Sequence, residues 1–276
     1  MTSSIDLSID LPVVRKILTE FIHDQITCAG YQRAVINLSG GLDSAVACAL
    51  AAEAVKPENV LVIRAPYKTS SPDSLEHAQL LIDQLGVRSV TIPITRMVDP
   101  LISLDRGMSA IRKGNIMARA RMIVLYDQSE AFHGLPVGTG NKTEYLLGYT
   151  TLYGDSACAF NPIGDLYKTQ VRQLARHMGI PAVIIQKPPS ADLWVGQTDE
   201  GELGFTYDEV DRLLYLLIDL GRGQQECIQE GFSEAFICKV VARIRRTQFK
   251  RNPPPIARIS NRTLRYDFLD QENWKN

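Results

Sequence analysis

The sequence predicts an α/β fold: a doubly wound, mostly parallel five-stranded sheet with helices on both faces and a helical C-terminal part. Three features predict it. Apolar, β-branched runs at 33–38, 59–65 and 88–92 alternate with segments of helical period, the order that sets parallel strands side by side with crossover helices. Runs such as Val60-Leu61-Val62-Ile63 are apolar at every position, as in strands covered on both faces. From Tyr207 onward the strand pattern stops and helical spacing takes over.

The elements follow in order. Asp10 and Pro12 make a helix start, and Val14, Ile17, Leu18, Phe21, Ile22 and Ile26 recur at helical spacing up to Gly30. The strand at 33–38 feeds a helix at 43–55. The strand at 59–65 feeds a helix at 72–85 that stops at Gly86, and the strand at 88–92 follows. Residues 115–132 read as a helix, and Leu135-Pro136-Val137-Gly138 as a short strand running into a glycine loop. Asp165 is the expected cap of a helix carrying Val171, Leu174, Ala175 and Met178, ended by Gly179 and Pro181. Helices at 207–220, 224–230 and 234–247 follow, and Asn252-Pro253-Pro254-Pro255 breaks the last. The chain reads as one domain over 1–276, with an α/β core at 33–186 and a loop and helical extension at 187–276. The polar stretches 187–203 and 251–262 are expected to be mobile covers over a site.

The 276 residues are 45% hydrophobic and 22% charged, sufficient for one large core. A formal net charge of -1 argues against a general nucleic-acid or membrane-surface binder. No apolar run reaches the length of a membrane span, and Met1 to Asp10 lacks a basic-then-apolar leader, so a cytoplasmic location is expected. Cys28, Cys48, Cys158, Cys227 and Cys238 are widely spaced, odd in number and without a C-x-x-C pair, which implies reduced thiols and argues against zinc.

The most informative stretch is Leu38-Ser39-Gly40-Gly41-Leu42-Asp43-Ser44. A small-residue loop between a strand and a helix N-terminus is an anion cradle, because free N–H groups and the helix dipole point at it. Gly40 and Gly41 let the backbone close tightly, and Ser39 and Ser44 offer hydroxyls. Asp43 would repel a phosphate unless a cation lay between them, so it reads as a magnesium ligand. A tight turn with Asp43 as a plain helix-start residue is the alternative. No lysine ends the loop, which excludes a Walker A motif.

Four more segments carry chemistry. Gly138-Thr139-Gly140-Asn141-Lys142-Thr143-Glu144 lacks the third glycine of a dinucleotide fingerprint. Its Glu144 reads either as a helix-start acid or as a carboxylate sharing a metal with Asp43. Tyr153-Gly154-Asp155 follows, then Gly164-Asp165-Leu166-Tyr167-Lys168-Thr169-Gln170. Lys168 falls in the first turn of its helix, against the dipole, which points to an anionic partner such as phosphate or else to a solvated lysine. The last is Lys187-Pro188-Pro189-Ser190-Ala191-Asp192-Leu193-Trp194, followed by Gly196-Gln197-Thr198-Asp199-Glu200.

The first loop resembles the SGGxDS pyrophosphate loop of the N-type ATP pyrophosphatases, whose fold is adenine nucleotide alpha hydrolase-like. The ordered set is more specific. With Gly114-Asn115-Ile116-Met117-Ala118-Arg119 and Phe249-Lys250-Arg251-Asn252-Pro253-Pro254 added, it resembles the ammonia-dependent NAD synthetases from about Pro12 to Arg258. That resemblance implies a ligase that amidates deamido-NAD to NAD through an acyl-adenylate, releasing AMP and pyrophosphate. It implies ATP contacts from Asn37, Leu38, Ser39, Gly40, Gly41, Leu42, Asp43, Ser44, Thr139, Lys168 and Ser190. It implies magnesium on Asp43 and Glu144, deamido-NAD contacts from Arg119 and Lys250, and Asp155 with Lys168 as catalytic groups, Asp155 receiving ammonium and helping to deprotonate it. It also implies a homodimer with a shared acceptor site, for which the helices carrying Ile116, Ile123, Val124 and Leu125, and Leu213, Leu214 and Leu217, are the expected apolar faces.

Three positions depart from the pattern. Many bacterial members carry Lys before the YGD element, Asp four residues after it and His before the basic element; here Leu152, Ala159 and Phe249 stand there. These residues are expected to line an altered deamido-NAD site with a weakened preference over nicotinate mononucleotide. Too few residues precede Arg33 for an amidase domain, so free ammonia, or ammonia from a separate glutaminase subunit, is the expected nitrogen source. Two rival functions make different demands on the sequence. An RNA-modifying member of the superfamily would need a basic face, and Lys239, Arg243, Arg245, Arg246, Lys250 and Arg251 make only one cluster. A non-catalytic ATP-binding module would not need Asp43, Glu144 and Lys168 together.

Overall fold

A computed structural model of the chain describes residues 5–194 and 196–259. In chain order the elements are α1 (Leu11–Cys28), β1 (Ala34–Asn37), α2 (Leu42–Val55), β2 (Val60–Arg64), α3 (Pro72–Leu85), β3 (Arg88–Thr91), α4 (Thr95–Ser103) and α5 (Ala110–Phe132). Then come β4 (Leu135–Pro136), α6 (Lys142–Leu147), α7 (Lys168–His177), α8 (Ala182–Gln186), α9 (Asp199–Leu203), α10 (Tyr207–Leu214), α11 (Gln224–Gln229) and α12 (Glu234–Arg246). The helix expected at 207–220 begins as α10 and continues as a π-helical turn, Tyr215–Asp219.

The sheet among the described residues has four parallel strands in the order β3-β2-β1-β4, not the expected five. A fifth is begun and abandoned. Phe160 makes one parallel bridge to Val137 and accepts from the Gly138 N–H at 2.8 Å, then Pro162, which has no N–H to give, follows two residues on.

Strand alternation separates two cores. Ala34, Ile36, Val60 and Val62 face α1, α2, α3 and α7, whereas Val35 and Ile63 face α4 and α5. Helix α2 is buried nearly all round, and its run of alanines lets α1 and α7 approach it closely while the sheet covers its remaining face. A third cluster joins α6, α10 and α12 through Leu147, Tyr207, Val210, Leu213, Leu214, Ile237 and Val240.

Two expectations fail here. Asp165 does not cap α7: that helix begins at Lys168 with Tyr167 in the cap position. The turn before it, closed by the Leu166 N–H on the Ile163 carbonyl, throws the Asp165 side chain into solvent, where it pairs with Lys142 at 3.0 Å. The apolar faces assigned to a dimer are also largely spent inside the chain. Val124 and Leu125 pack under the sheet, and Leu213 and Leu214 fill the C-terminal cluster; Ile123 is exposed. The polar stretch 187–203 holds the short helix α9, and 251–259 is irregular. The remainder of the expected second cover, 260–262, and Val195 of the first lie outside the described residues.

Candidate active site

The carboxyl ends of β1 and β4 run into two glycine loops, and an open α/β sheet places its crevice at those ends. The first loop turns at Gly40, whose φ of +73° is left-handed; a Cβ there would lie 2.1 Å from the Ser74 carbonyl oxygen. Only glycine allows this approach of the loop to α3. Gly41 caps α2 with no side-chain hydrogen bond, so the first N–H groups of that helix are left for an anion. The hydroxyls are ordered against each other: Ser39 Oγ lies 3.0 Å from Ser44 Oγ, and the Gly41 N–H donates to Ser39 Oγ at 3.2 Å.

Beside this loop stands a charge cluster. The Lys168 ammonium, almost fully buried, donates to Asp43 and at 3.4 Å to Glu144 Oε1. Asn141 Nδ2 donates to the other Asp43 oxygen at 2.9 Å. Asn141 and Glu144 also form a capping box at the start of α6, so Glu144 is both the helix-start acid and a partner of Lys168. The Lys168 Nζ sits 5.0 Å from the Tyr207 ring centre, and the Tyr207 hydroxyl donates to Asp199 Oδ2 at 3.0 Å. The second Asp199 oxygen is buried and has no hydrogen-bond partner among the described residues.

Electrostatics follow from crowding and burial. Burial, then the charge of Asp43, push the Glu144 carboxyl up to about 8, against the pull of Lys168. Burial opposes the Lys168 ammonium, but Asp43, Glu144 and Asp199 together outweigh it and hold the amine above its ordinary value. With every carboxyl ionised, Asp43, Glu144 and Asp199 would set three negative charges against the one ammonium of Lys168. Asp43 and Glu144 present hard oxygen donors from facing elements, and no group of three His, Cys, Asp or Glu among the described residues forms an all-protein metal cage. Such a donor set fits magnesium, which keeps waters and takes phosphate oxygens beside one or two carboxylates.

One cavity of about 470 Å³ gathers the expected groups. Its wall includes Asn37, Leu38, Ser39, Gly41, Leu42, Asp43, Ser44, Thr139, Glu144, Asp155, Lys168, Ser190 and Lys250. Gly40 is turned away from it onto Ser74. Asp155 is exposed on the cavity side, and the protein crowded around it raises its carboxyl while the Thr151 N–H, donating at 2.6 Å, opposes the rise. Lys250 donates to the Gly148 and Thr150 carbonyls at 2.8 and 2.6 Å, tying the C-terminal segment to the same wall.

The other residues expected to contact the acceptor are not on that wall. Arg119 Nε donates to the Leu152 carbonyl at 3.3 Å, Ala159 is exposed beside β4, and the Phe249 ring is 62% exposed. They stand outside the cavity of a single chain. Sequence reasoning missed Asn141, Asp192, Asp199, Tyr207 and Arg121, which the fold brings to the site from far along the chain. Only Asn141 had a local signal, the Asn-x-x-Glu spacing of a capping box.

The NAD synthase family model matches residues 14–254. The NH(3)-dependent NAD(+) synthetase of Chlorobium phaeovibrioides is 51% identical over 98% of this chain and 98% of its own. The chain belongs to the NAD synthase family. Two solved NAD synthase relatives place the fold. An NMN synthetase from Francisella tularensis superposes with a TM-score of 0.81 at 30% identity, covering 91% of this chain and 99% of its own. An NH3-dependent NAD synthetase from Campylobacter jejuni, in complex with nitrate, gives 0.77 at 32% identity over 91% and 100%.

Proposed function

We propose that this NAD synthase amidates the nicotinate carboxyl of deamido-NAD to NAD, using ATP and ammonia. The observation that carries the reading is the Asp43–Lys168–Glu144 cluster set beside the uncapped start of α2, in one cavity with Asp155. Two carboxylates beside an anion cradle make sense only where phosphates arrive with a cation.

A carboxylate oxygen attacks the ATP α-phosphorus, the bond to the bridging oxygen breaks, and pyrophosphate leaves. The α2 N–H groups and Lys168 are fixed where charge gathers on phosphate oxygens. Asp43 and Glu144 would hold magnesium, which when bound would supply further positive charge to those oxygens. Ammonia then attacks the acyl carbon and AMP departs. Asp155 has two uses in that step: its charge draws ammonium inward, and its raised proton affinity suits it to take the proton. Ser190 and Thr139, both on the cavity wall, are the further ATP contacts, and Lys250 on that wall acts with Arg119 on the acceptor. We assign residues 33–186 to the nucleotide-binding core of a single domain, and residues 187–194 and 196–259 to its loop and helical extension; the rest of 187–276 lies outside the described residues.

A second acceptor has a specific observation in its favour. The Francisella relative is an NMN synthetase, and Leu152, Ala159 and Phe249 replace the polar residues that many family members carry. The test incubates the protein with ATP, magnesium and ammonium, and with deamido-NAD or nicotinate mononucleotide in turn. Amide product, AMP and pyrophosphate in equal amounts are expected, with deamido-NAD the better acceptor. No amide from either acceptor would overturn the reading. A higher kcat/KM for the mononucleotide would make this an NMN synthetase. A Leu152→Lys, Ala159→Asp double variant should shift that ratio toward deamido-NAD.

A further inference from the structure

Asp211 lies in α10, outside the cavity wall, and is completely buried. Both of its oxygens are used. Oδ1 accepts from the Thr143 hydroxyl at 2.6 Å, and Oδ2 accepts from the Thr169 N–H at 2.8 Å. Thr143 adjoins Glu144 in the first turn of α6, and Thr169 adjoins Lys168 in the first turn of α7. The Thr143 hydroxyl in turn accepts from the Lys168 N–H at 3.0 Å, closing a ring through both helix starts.

These bonds replace something. Helix α7 has no cap from Asp165, and the orphan N–H groups of its first turn must be met from elsewhere. An aspartate more than forty residues later meets one of them directly and a second through Thr143. A buried carboxylate is costly unless hydrogen-bonded, so keeping one here needs a return that a leucine would not give.

We propose that Asp211 is a positioning residue for the reaction: it locks the starts of α6 and α7 to each other, and so fixes Glu144 and Lys168 against Asp43. The C-terminal helical part thereby sets the geometry of the phosphate site without reaching the substrate. This rests on the ATP reading of the Asp43–Lys168–Glu144 cluster.

The test compares Asp211→Ala, Asp211→Asn and Thr143→Val with the parent protein. Asparagine keeps the shape, accepts from the Thr169 N–H and donates to the Thr143 hydroxyl, so Asp211→Asn should lose only a few-fold in turnover, about threefold. Asp211→Ala should lose about 10–100-fold, the usual cost of removing a group that orients a site residue. The loss should fall on kcat and on ATP affinity, with the KM for deamido-NAD within about twofold of the parent. Because Asp211 and Thr143 act as one unit, Asp211→Asn and Thr143→Val should combine non-additively in kcat. Magnesium–ATP binding by calorimetry reads the same positions without turnover. If the parent makes no amide, the functional reading fails, and a weakened Asp211→Ala affinity for ATP still supports the positioning role. Variants that lose thermal stability but keep the parent's kcat and ATP affinity would overturn it, as would strictly additive effects. Should Asp211→Ala fail to fold, the Asp211→Asn and Thr143→Val cycle decides.

Discussion

Gly40 and Gly179 share a left-handed backbone, φ +73° and +70°, but not surroundings. A side chain at Gly179 meets nothing within 4 Å, whereas at Gly40 it meets Ser74 backbone at 2.1 Å. Gly179→Ala should therefore cost about 1 kcal/mol, the conformational term alone. Gly40→Ala should cost more than that and weaken ATP binding, since the loop must back away from α3. Chemical denaturation and calorimetry check both; equal costs at the two sites would contradict the close approach. Glu144 gives a pH dependence. Its folded carboxyl, near 8, lies above its ordinary value of 4.5, so the folded state holds the proton more tightly than the unfolded one. That contribution is complete below about 4.5 and is lost as pH rises toward about 8. Without divalent cations, Glu144→Gln should gain thermal stability relative to the parent as pH rises through that window. A difference that stays flat with pH would show that the carboxyl is not perturbed. At this scale the site was legible where its chemistry is local. The Ser39–Ser44 loop declares itself because strand, glycines and helix start are contiguous. Asp199 and Asp211 do not, because their partners are Lys168, Thr143 and Thr169, and single acids at helix spacing look like any solvated helix face.

Among elements, the segment before α9 is pinned rather than free. Asp192, at a left-handed φ of +50°, accepts from the Ser71 N–H at 3.1 Å and the Ser74 hydroxyl at 3.1 Å. Lys187 donates to that same Ser74 hydroxyl at 2.8 Å. Ser71 is the cap position of α3 and makes no cap bond of its own, so Asp192 caps that helix from across the cavity. Ser190 and Leu193, flanking Asp192, are thus held over the anion loop's neighbour. A cover that excludes water protects an acyl-adenylate from hydrolysis. Asp192→Ala should raise the pyrophosphate released per amide formed above one, with little change in thermal stability; a ratio that stays at one would remove the role. Periodicity found the long elements because burial imposes it. It missed α4, a short helix interrupted by Pro100, and placed a cap on Asp165 that the preceding turn points outward. The expected fifth strand had no located run in the sequence, and the segment beside β4 makes one bridge before the chain turns at Pro162.

For the whole molecule, the residues proposed for the acceptor divide between wall and exterior. Lys250 lines the cavity, while Arg119, Leu152, Ala159 and Phe249 do not. Apolar side chains stand exposed on this chain: Ile123 and Tyr126 on α5, Tyr153 in the turn that follows α6, and Phe249 after α12. Tyr153 also holds a left-handed φ of +58°, unusual for an aromatic residue and kept with its ring outward. A two-fold interface buries one self-complementary patch on each chain, and such a patch here would add exterior residues of one chain to the cavity of another. The protein is therefore expected to be a homodimer whose acceptor site is complete only when paired. Light scattering should give twice the chain mass at assay concentration, and activity per chain should fall on dilution as the dimer parts. Ile123→Asp should produce monomers that still bind magnesium–ATP, because the Asp43–Lys168–Glu144 cluster lies within one chain, yet lose amide formation through the acceptor. A monomer with full amide-forming activity would place the whole acceptor site inside a single cavity, and Arg119, Leu152, Ala159 and Phe249 would then have no part in it.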